Sequence, residues 1–383
     1  MRTAFTMPPR RPASRLVPLA RLARLVAALA FWPATGEAQW TPLASGTTAS
    51  LRGLSVVDAR TVWASGTRGT VVHTTDGGLT WRVDSVPGGG ALDLRAVHAR
   101  SARVAHVAAT AGRIYRTTDG GTTWSLRHQA ADTSTFLDAI DFWDDRHGIA
   151  LGDPIGGRFV ILLTRDGGDT WQEAPAAQRP AAVDGEAAFA ASGSSLIVEG
   201  SADSLVAWLG TGGRVARLHR TVDHGARWEA FDTPMRQGDP STGIFSVARV
   251  PGGGLVVVGG HYGENDNSLR NAAATHTGAQ WRLIAPDGPR GYRSGVAFAT
   301  RSGAAAVGIA VGPGGSDLSV DGGMRWVAFD SAGYHAARAS RDGIFYASGS
   351  GGRVARFDSR AARPSRPGAP LPITDHRSSA PSS

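Results

Sequence analysis

The sequence contains no cysteine and no lysine, and each absence removes a set of possibilities. Without cysteine there are no disulfides, no thiolate metal ligands, no cysteine nucleophile and no lipid anchor on sulfur. All 40 basic residues are arginines, and aromatic residues make up only 7% of the chain, whereas 51 of its 383 residues are glycine. This composition is typical of a turn-rich globular protein with many short strands. It excludes both a disordered chain and a bundle of membrane helices.

The formal net charge of +8 lies at the two ends of the chain. Residues 1–38 contain six arginines and one glutamate, and residues 359–383 contain four arginines and one aspartate. These segments account for the whole net charge, so residues 39–358 are formally neutral. Because nucleic-acid binding depends on a basic face or stripe, this distribution argues against a nucleic-acid partner.

The two ends also differ from the rest of the chain in sequence character. Residues 1–38 have the pattern of a secretory signal peptide, with arginines, an apolar run from Leu25 to Trp32 and small residues before a cleavage at Gln39. That run is far shorter than the roughly 20 residues of a membrane-spanning helix. We therefore predict an exported protein, periplasmic or secreted, without a permanent membrane span. Residues 359–383 are rich in proline, serine and arginine and are predicted to be a disordered tail.

A short motif of the form Ser/Thr-x-Asp-x-Gly-x-x-Trp recurs along the chain. The chain contains six copies, and the copy that ends at Trp281 lacks the aspartate. The tryptophans of the six copies are separated by 43, 47, 57, 53 and 45 residues, which is the length of one four-stranded propeller blade. The five copies that keep both residues contain Asp76 and Trp81, Asp119 and Trp124, Asp166 and Trp171, Asp223 and Trp228, and Asp321 and Trp326.

A seventh repeat is divided between the two ends of residues 39–358. Residues 343–357 have the apolar strands of a repeat but lack the Ser/Thr-x-Asp-x-Gly-x-x-Trp motif, which we call the box. Residues 40–43 resemble the strand that follows the box in the other repeats. We therefore predict an all-β fold, a seven-bladed β-propeller of four-stranded antiparallel blades that occupies residues 39–358. The N-terminal strand closes the last blade, because closure removes exposed sheet edges.

The recurring motif resembles the Asp-box, or BNR repeat, of sialidase-type propellers. Across residues 40–358 the chain is similar to the exported seven-bladed family that includes the photosystem II stability and assembly factors. This resemblance implies a propeller fold and a non-catalytic role as an envelope assembly or stability factor. Sialidases also have an early Arg-Ile-Pro segment, which is missing here. The box itself is shared by glycosidases, receptors and assembly factors, so it does not define a function.

The box residues are interpreted as structural. An aspartate in such a turn accepts hydrogen bonds from backbone amides, the glycine adopts a positive φ, and the tryptophan packs between blades. No cofactor or metal is predicted, because the eleven histidines show no paired ligand spacing. His261 and His335 are the candidates for a metal ligand that the sequence offers.

Candidate binding residues fall on one face of the predicted propeller. Strands alternate in direction, so the second-to-third-strand turns and the connections between blades emerge together, on a face that we call the loop face. The box turns emerge on the opposite side, the box face. Charged and aromatic residues on loops of a rigid scaffold are the usual location of binding. Those predicted here are Arg52, Arg95, Asp138, Asp153, Glu186, His261, Tyr262, Glu264, Arg293 and His335.

The function predicted from these observations is non-catalytic binding of a protein, small-molecule or glycan ligand on the loop face of a monomeric propeller. The alternative is a glycan-active hydrolase, which needs two carboxyl groups about 5 to 10 Å apart. Asp153 with Glu186 is the candidate catalytic pair, and Glu264 with Asp138 is another. An oxidoreductase is a weaker alternative, since no residue marks a cofactor site.

Overall fold

The computed structural model describes residues 39–362, apart from residues 202–203 and 302–303. Seven antiparallel sheets form in this part of the chain, and the prediction of a seven-bladed β-propeller is confirmed. The predicted signal peptide, residues 1–38, and residues 363–383 of the predicted tail lie outside the described residues. Both stay predictions.

Each blade has four strands, named a to d from the central channel outward. The first strand of the chain, β1 (Thr41–Ala44), is strand d of the last blade, blade VII. The strands of blades I to III are β2 (Leu51–Val56), β3 (Val62–Gly66), β4 (Thr70–Thr74), β5 (Arg82–Ser85), β6 (Leu94–Ala99), β7 (Ala105–Ala109), β8 (Arg113–Thr117), β9 (Ser125–Gln129), β10 (Leu137–Phe142), β11 (Gly148–Ile155), β12 (Arg158–Thr164) and β13 (Gln172–Glu173).

Blades IV and V are joined by a pair of short strands, β14 and β17, which extends the sheet of blade V to six strands. The strands from there on are β14 (Glu186–Ala187), β15 (Leu196–Ser201), β16 (Ser204–Gly210), β17 (Gly212–Gly213), β18 (Arg217–Thr221), β19 (Glu229–Asp232), β20 (Thr242–Arg249), β21 (Leu255–His261), β22 (Ala272–Thr275), β23 (Trp281–Leu283), β24 (Gly295–Arg301), β25 (Ala304–Gly312), β26 (Gly315–Ser319), β27 (Val327–Asp330), β28 (Ala336–Ala339), β29 (Ile344–Ser348) and β30 (Arg353–Asp358). Single 3₁₀ turns occur at Gly89–Ala91, Ala176–Gln178, Ser350–Gly352 and Ser359–Ala361.

The hydrophobic core lies between neighbouring blades. Each pair of adjacent blades shares a cluster of buried side chains, and strand b of a blade is often buried along its whole length, as in β7. Blade II shows why local sequence predicts these strands: in Leu94–Ala99 and Arg113–Thr117 the apolar side chains are buried, whereas the arginines and the histidine are half-buried. None of the described helices is long and apolar enough to cross a membrane.

The ring is closed by the N-terminal strand, as predicted. In β1, Thr41 pairs with Arg356 and Ala44 with Arg353 of β30. Trp40, just before β1, donates a hydrogen bond from its indole Nε1 to Ser316 Oγ at 3.0 Å. Its ring also packs on Phe329, Tyr334 and Phe357, so it joins blade VII to blade VI.

The boxes form tight turns between strands c and d. In blade I, Thr74 Oγ1 donates to Asp76 Oδ1 at 2.7 Å, and the backbone N–H of Thr80 donates to the same oxygen at 3.0 Å. Hydrogen bonds from Thr80 and Thr74 lower the pKa of Asp76, which keeps the carboxylate ionised as an acceptor. These are contacts of a structural turn. Corresponding contacts occur at Asp119, Asp166, Asp223 and Asp321.

The box tryptophans contribute to the packing between blades. Three of them, Trp124, Trp171 and Trp326, are buried. Trp81 and Trp228 are half-buried and pack against the core clusters of their blades. The ordered structure also continues to Ala362, which is fully buried, four residues beyond the boundary predicted at residue 358.

Candidate functional site

Backbone bulges at one end of the inner strands place side chains at the mouth of the channel. The ladders of blades I, II and III each shift register at the second residue of strand a, which is Arg52, Arg95 and Asp138 respectively. Blade V has the same shift at Phe245. A bulge leaves its extra residue unpaired and turns its side chain away from the regular ladder. These four positions therefore form the mouth on the loop face.

Two guanidinium groups dominate the charge at the mouth. Arg95 pairs with Asp93 Oδ2 at 2.8 Å and lies 5.3 Å from the ring centre of Phe136. Among the described residues, Arg52 has neither an ion pair nor a hydrogen-bond acceptor for its guanidinium. Burial and then the positive charge of Arg95 lower the pKa of Arg52, and the Asp93 carboxylate partly offsets this.

A neutral histidine lies beside these arginines. His335 Nε2 is 2.8 Å from Ser350 Oγ and 3.3 Å from Ser50 Oγ. Burial, followed by the charges of Arg52, Arg95 and Arg353, lowers the pKa of His335 to about 4. The imidazole is therefore uncharged at neutral pH, and the positive charge of the mouth belongs to arginine.

Asp138 and Asp153 form a pair of acids next to Arg95. Asp138 is only 1% exposed, and burial together with the nearby charge of Asp153 raises its pKa well above the ordinary value. The sequence predicts Asp153 in a loop, but it lies in β11, where it accepts a hydrogen bond from the N–H of Ala188 at 3.1 Å. Burial also raises the pKa of Asp153. Because a raised pKa favours the neutral, protonated form of each acid, the pair offsets the positive charge of the arginines less than two ordinary carboxylates would.

Aromatic side chains form one wall of the mouth. Phe189 stacks on Phe245 with ring centres 3.9 Å apart, and Tyr292 meets Phe245 edge-on at 4.8 Å. Tyr262 extends this cluster toward solvent, 6.2 Å from Phe245 and 52% exposed. An apolar surface thus adjoins the charged centre, and Tyr262 is its accessible part.

Residues 188–195, which we call the channel segment, form the floor beneath the mouth. The carbonyl of Ala190 accepts a hydrogen bond from Arg95 at 3.4 Å, and Ser194 Oγ lies 2.7 Å from Ser246 Oγ of blade V. The carbonyl of Gly193 accepts another from Arg338 of blade VII at 3.1 Å. The segment comes from blade IV and contacts blades II, V and VII, so it spans the channel.

Besides Asp138, two more of the predicted site residues are buried, and both are held in ion pairs inside the protein. The Glu186 side chain is fully buried and accepts hydrogen bonds from Thr211 Oγ1 at 2.6 Å and from Arg217 Nε at 3.0 Å. Arg293 is buried in an ion pair with Asp317 of 2.6 Å. Both partners come from distant parts of the sequence, so strand assignment alone did not reveal them.

His261 and Glu264 form a separate polar cluster on the long loop of blade V. Arg236 donates two hydrogen bonds to the Glu264 carboxylate, at 2.8 and 3.0 Å. His261 Nε2 lies 3.6 Å from Asp239 and 3.7 Å from Glu264. This cluster holds the loop that carries Tyr262.

The site offers no evident place for a metal ion. Within residues 39–362, apart from the four residues that are not described, no group of three or more histidine and carboxylate side chains could hold one.

The aromatic wall, the two serines beside His335 and the channel segment are not among the residues predicted from the sequence. The channel segment had a signal, because the repeat that contains it has the longest spacing between tryptophans, 57 residues. Nothing in the sequence marked the bulges, which depend on strand pairing.

These features define the protein as a seven-bladed β-propeller with a charged mouth and a filled channel. No family model and no curated protein match the sequence. Among solved structures, the fold is similar to YCF48 bound to a D1 peptide, with a TM-score of 0.57 and 17% identity over 83% of this chain and 96% of that chain.

Two further structures share the fold. One is YCF48 from Cyanidioschyzon merolae, with a TM-score of 0.53 and 17% identity over 84% of this chain and all of that chain. The other is an ancestral GH74 enzyme, with a TM-score of 0.53 and 15% identity over 73% of this chain but only 37% of the enzyme. At these identities the comparisons show the fold alone.

Proposed function

We propose that this protein is a non-catalytic binding module that holds an extended segment of another protein on its loop face, with an acidic group of that segment at Arg52 and Arg95. The observation that carries the proposal is the partly buried guanidinium of Arg52, which forms no ion pair or hydrogen bond with a described residue, while the nearby Asp93 carboxylate is already paired with Arg95 at 2.8 Å. A desolvated charge without a partner is costly. A carboxylate could accept two parallel hydrogen bonds from it.

Exposed apolar side chains on the same face support a protein ligand. A row of such residues along a face is suited to contacts with alternate side chains of an extended peptide. In blades III to V they are Ile155 (41% exposed), Val183 (42%), Tyr262 (52%) and Leu269 (59%).

The similar fold of YCF48, which is bound to a D1 peptide in one structure, supports peptide binding by a propeller of this size. We extend the proposal to an envelope assembly or stability role for an exported monomer. Export is tested by cell fractionation of the full chain with and without residues 1–38. The monomer is tested by light scattering.

A glycan hydrolase is the second candidate, and the similarity to a GH74 enzyme favours it. The proposed pair fits it poorly, however. Burial alone would raise the pKa of Glu186, but hydrogen bonds from His219, Arg217 and Thr211 lower it to about 2. An acid that stays ionised and buried cannot protonate a leaving group near neutral pH. Asp138 is also too buried to reach a substrate directly.

Binding is tested with a panel of fluorescent 12-residue peptides, made in matched pairs with and without one central glutamate. We expect the acidic member of a pair to bind more tightly and Arg52→Ala to weaken it ten- to hundredfold, as for loss of a charge-assisted bond of about 1.5 to 3 kcal/mol. Arg227→Ala, an exposed arginine of the box face, is the matched control and should change affinity less than twofold.

Equal affinity of wild type and Arg52→Ala for every peptide would contradict the proposal. Hydrolysis of a polysaccharide by the wild type that is lost in Asp153→Asn would favour the hydrolase instead.

A further inference from the structure

A groove of about 610 Å³ lies on the box face, between blades V and VI. It is bordered by the turn Val250–Gly254, by Trp281 and by the box turn of blade VI near Met324. Most of its lining is apolar or glycine. Its size is within the range of about 300 to 1,000 Å³ typical of ligand pockets, so it can accept a few side chains.

The groove coincides with the box that lacks its aspartate. In blade III, Asp166 Oδ1 accepts a hydrogen bond at 3.0 Å from the N–H of Thr170, four residues later, and so ties the turn together. In blade V the box is one residue shorter, and Thr277 replaces the aspartate. There the turn is held by the hydroxyl of Thr275, which accepts from Gly278 N at 2.8 Å.

The turn facing this box is built from glycine. Gly252 and Gly253 have φ of 96° and 121°, in the left-handed region, and an added Cβ at either position would meet no atom within 4 Å. This side of the groove is therefore open, and an apolar surface is left uncovered next to it.

The described chain leaves the propeller on the same face. Strand β30 starts at the loop face with Arg353 and ends at the box face with Asp358, because it is the third strand of its blade. The turn Ser359–Ala361 follows, and Ala362 packs in the core between blades VI and VII. The described chain thus ends at Ala362 beside blade VI, one of the two blades that form the groove.

Residues 363–383 contain two large apolar residues, Leu371 and Ile373, on either side of Pro372. Leu371 is nine residues beyond Ala362. At about 3.1 Å per residue in a polyproline-like conformation, this length spans about 28 Å. Sheets packed face to face lie about 10 Å apart, so the segment is long enough to cross blade VI and reach the groove.

We propose that Leu371-Pro372-Ile373 docks into the groove between blades V and VI of the same molecule. The apolar pair of the segment matches the apolar lining, and docking would cover surface that is otherwise open to water. The proposal is independent of ligand binding on the loop face, because the groove lies on the opposite side.

Since the chain has no cysteine of its own, disulfide trapping in the full chain tests this docking. Thr277→Cys at the groove rim is combined with Thr374→Cys, and the rate of intramolecular disulfide formation is followed by mass spectrometry. We expect this pair to close at least tenfold faster than Leu79→Cys with Thr374→Cys. Changing Leu371 and Ile373 to Asp should abolish the difference.

The Leu79→Cys position is a stringent control for a segment that reaches many parts of the box face without preference. It is 85% exposed in the box turn of blade I, and its neighbour Gly78 lies against Leu43 of blade VII. A tethered segment with no preference for the groove should therefore reach it at least as readily. Equal rates for the two pairs, or a difference that survives the Asp substitutions, would overturn the proposal. Mainly disulfide-linked dimers would assign the groove to a second copy and overturn it as well.

Discussion

Arg338, on the innermost strand of blade VII, donates a hydrogen bond of 3.1 Å to the carbonyl oxygen of Gly193, which belongs to blade IV. The two blades are not neighbours, so this bond crosses the channel. Burial lowers the pKa of Arg338, and its other donor contact is to the carbonyl of Ala337 at 3.1 Å. The guanidinium therefore connects opposite sides of the ring through backbone acceptors.

We expect Arg338→Met to lower the free energy of unfolding by about 1 to 3 kcal/mol, because it leaves buried carbonyl groups without a donor. Hydrogen exchange should also accelerate in residues 188–195. Urea unfolding and exchange mass spectrometry measure the two effects. Arg341→Met, an exposed residue of a box-face turn, is the control. Unchanged exchange in the channel segment would show that this bond does not hold it.

Glu186→Gln should destabilise the protein by about 3 to 5 kcal/mol at pH 7, since it leaves Arg217 without its buried partner. The folded pKa of Glu186, about 2, lies below its ordinary value of 4.5. Its contribution is thus present above pH 4.5 and lost as the pH falls from 4.5 to 2. The variant should have a flatter stability profile in that window, as measured by urea unfolding. Glu229→Gln, at an exposed ion pair, should match the wild type at pH 7.

His335 changes the folding stability in a different pH range from Glu186, because it is a base that is neutral in the folded protein. Its folded pKa of about 4 lies below the ordinary value of 6.5, so the unfolded chain binds the proton more readily between these values. Folding stability should therefore fall as the pH drops from 6.5 to 4, and His335→Gln should reduce that slope. NMR titration checks the pKa directly. We also expect an acidic peptide bound at Arg52 to raise it. No change in the pKa upon binding would place the peptide elsewhere.

Trp40→Ala removes the side chain that joins the N-terminal strand to blade VI. Trp40 is 5% exposed, and truncation of a buried tryptophan costs about 3 to 5 kcal/mol. We expect a lower thermal midpoint and faster proteolysis near β1. Leu126→Ala, on the outer strand β9 and 49% exposed, serves as the comparison. Equal midpoints for the two variants would mean that β1 is held mainly by its pairing with β30.

The sequence predicted the blades because their signals are local. Two apolar runs and a box turn identify three consecutive strands of a blade. Arg52 and Arg95 can then be predicted as the first polar residue of strand a in blades I and II. Arg293 and Glu186 are buried because they form ion pairs with Asp317 and Arg217. The positions of these partners are defined only by the folded sheets. Burial of a charged side chain by a distant partner carries no periodic signal, so the candidate site was predicted only in part.

The closure of the ring has a consequence for the order of biosynthesis. Trp40 and its hydrogen-bond partner Ser316 are 276 residues apart, and β30 is farther still. Strand β1 therefore leaves the ribosome long before the strand with which it pairs. Until the two strands pair, the open ring has two unpaired strand edges, which are prone to aggregation. A nascent chain of this protein should need protection by a chaperone at least until β30 has been made and can pair with β1.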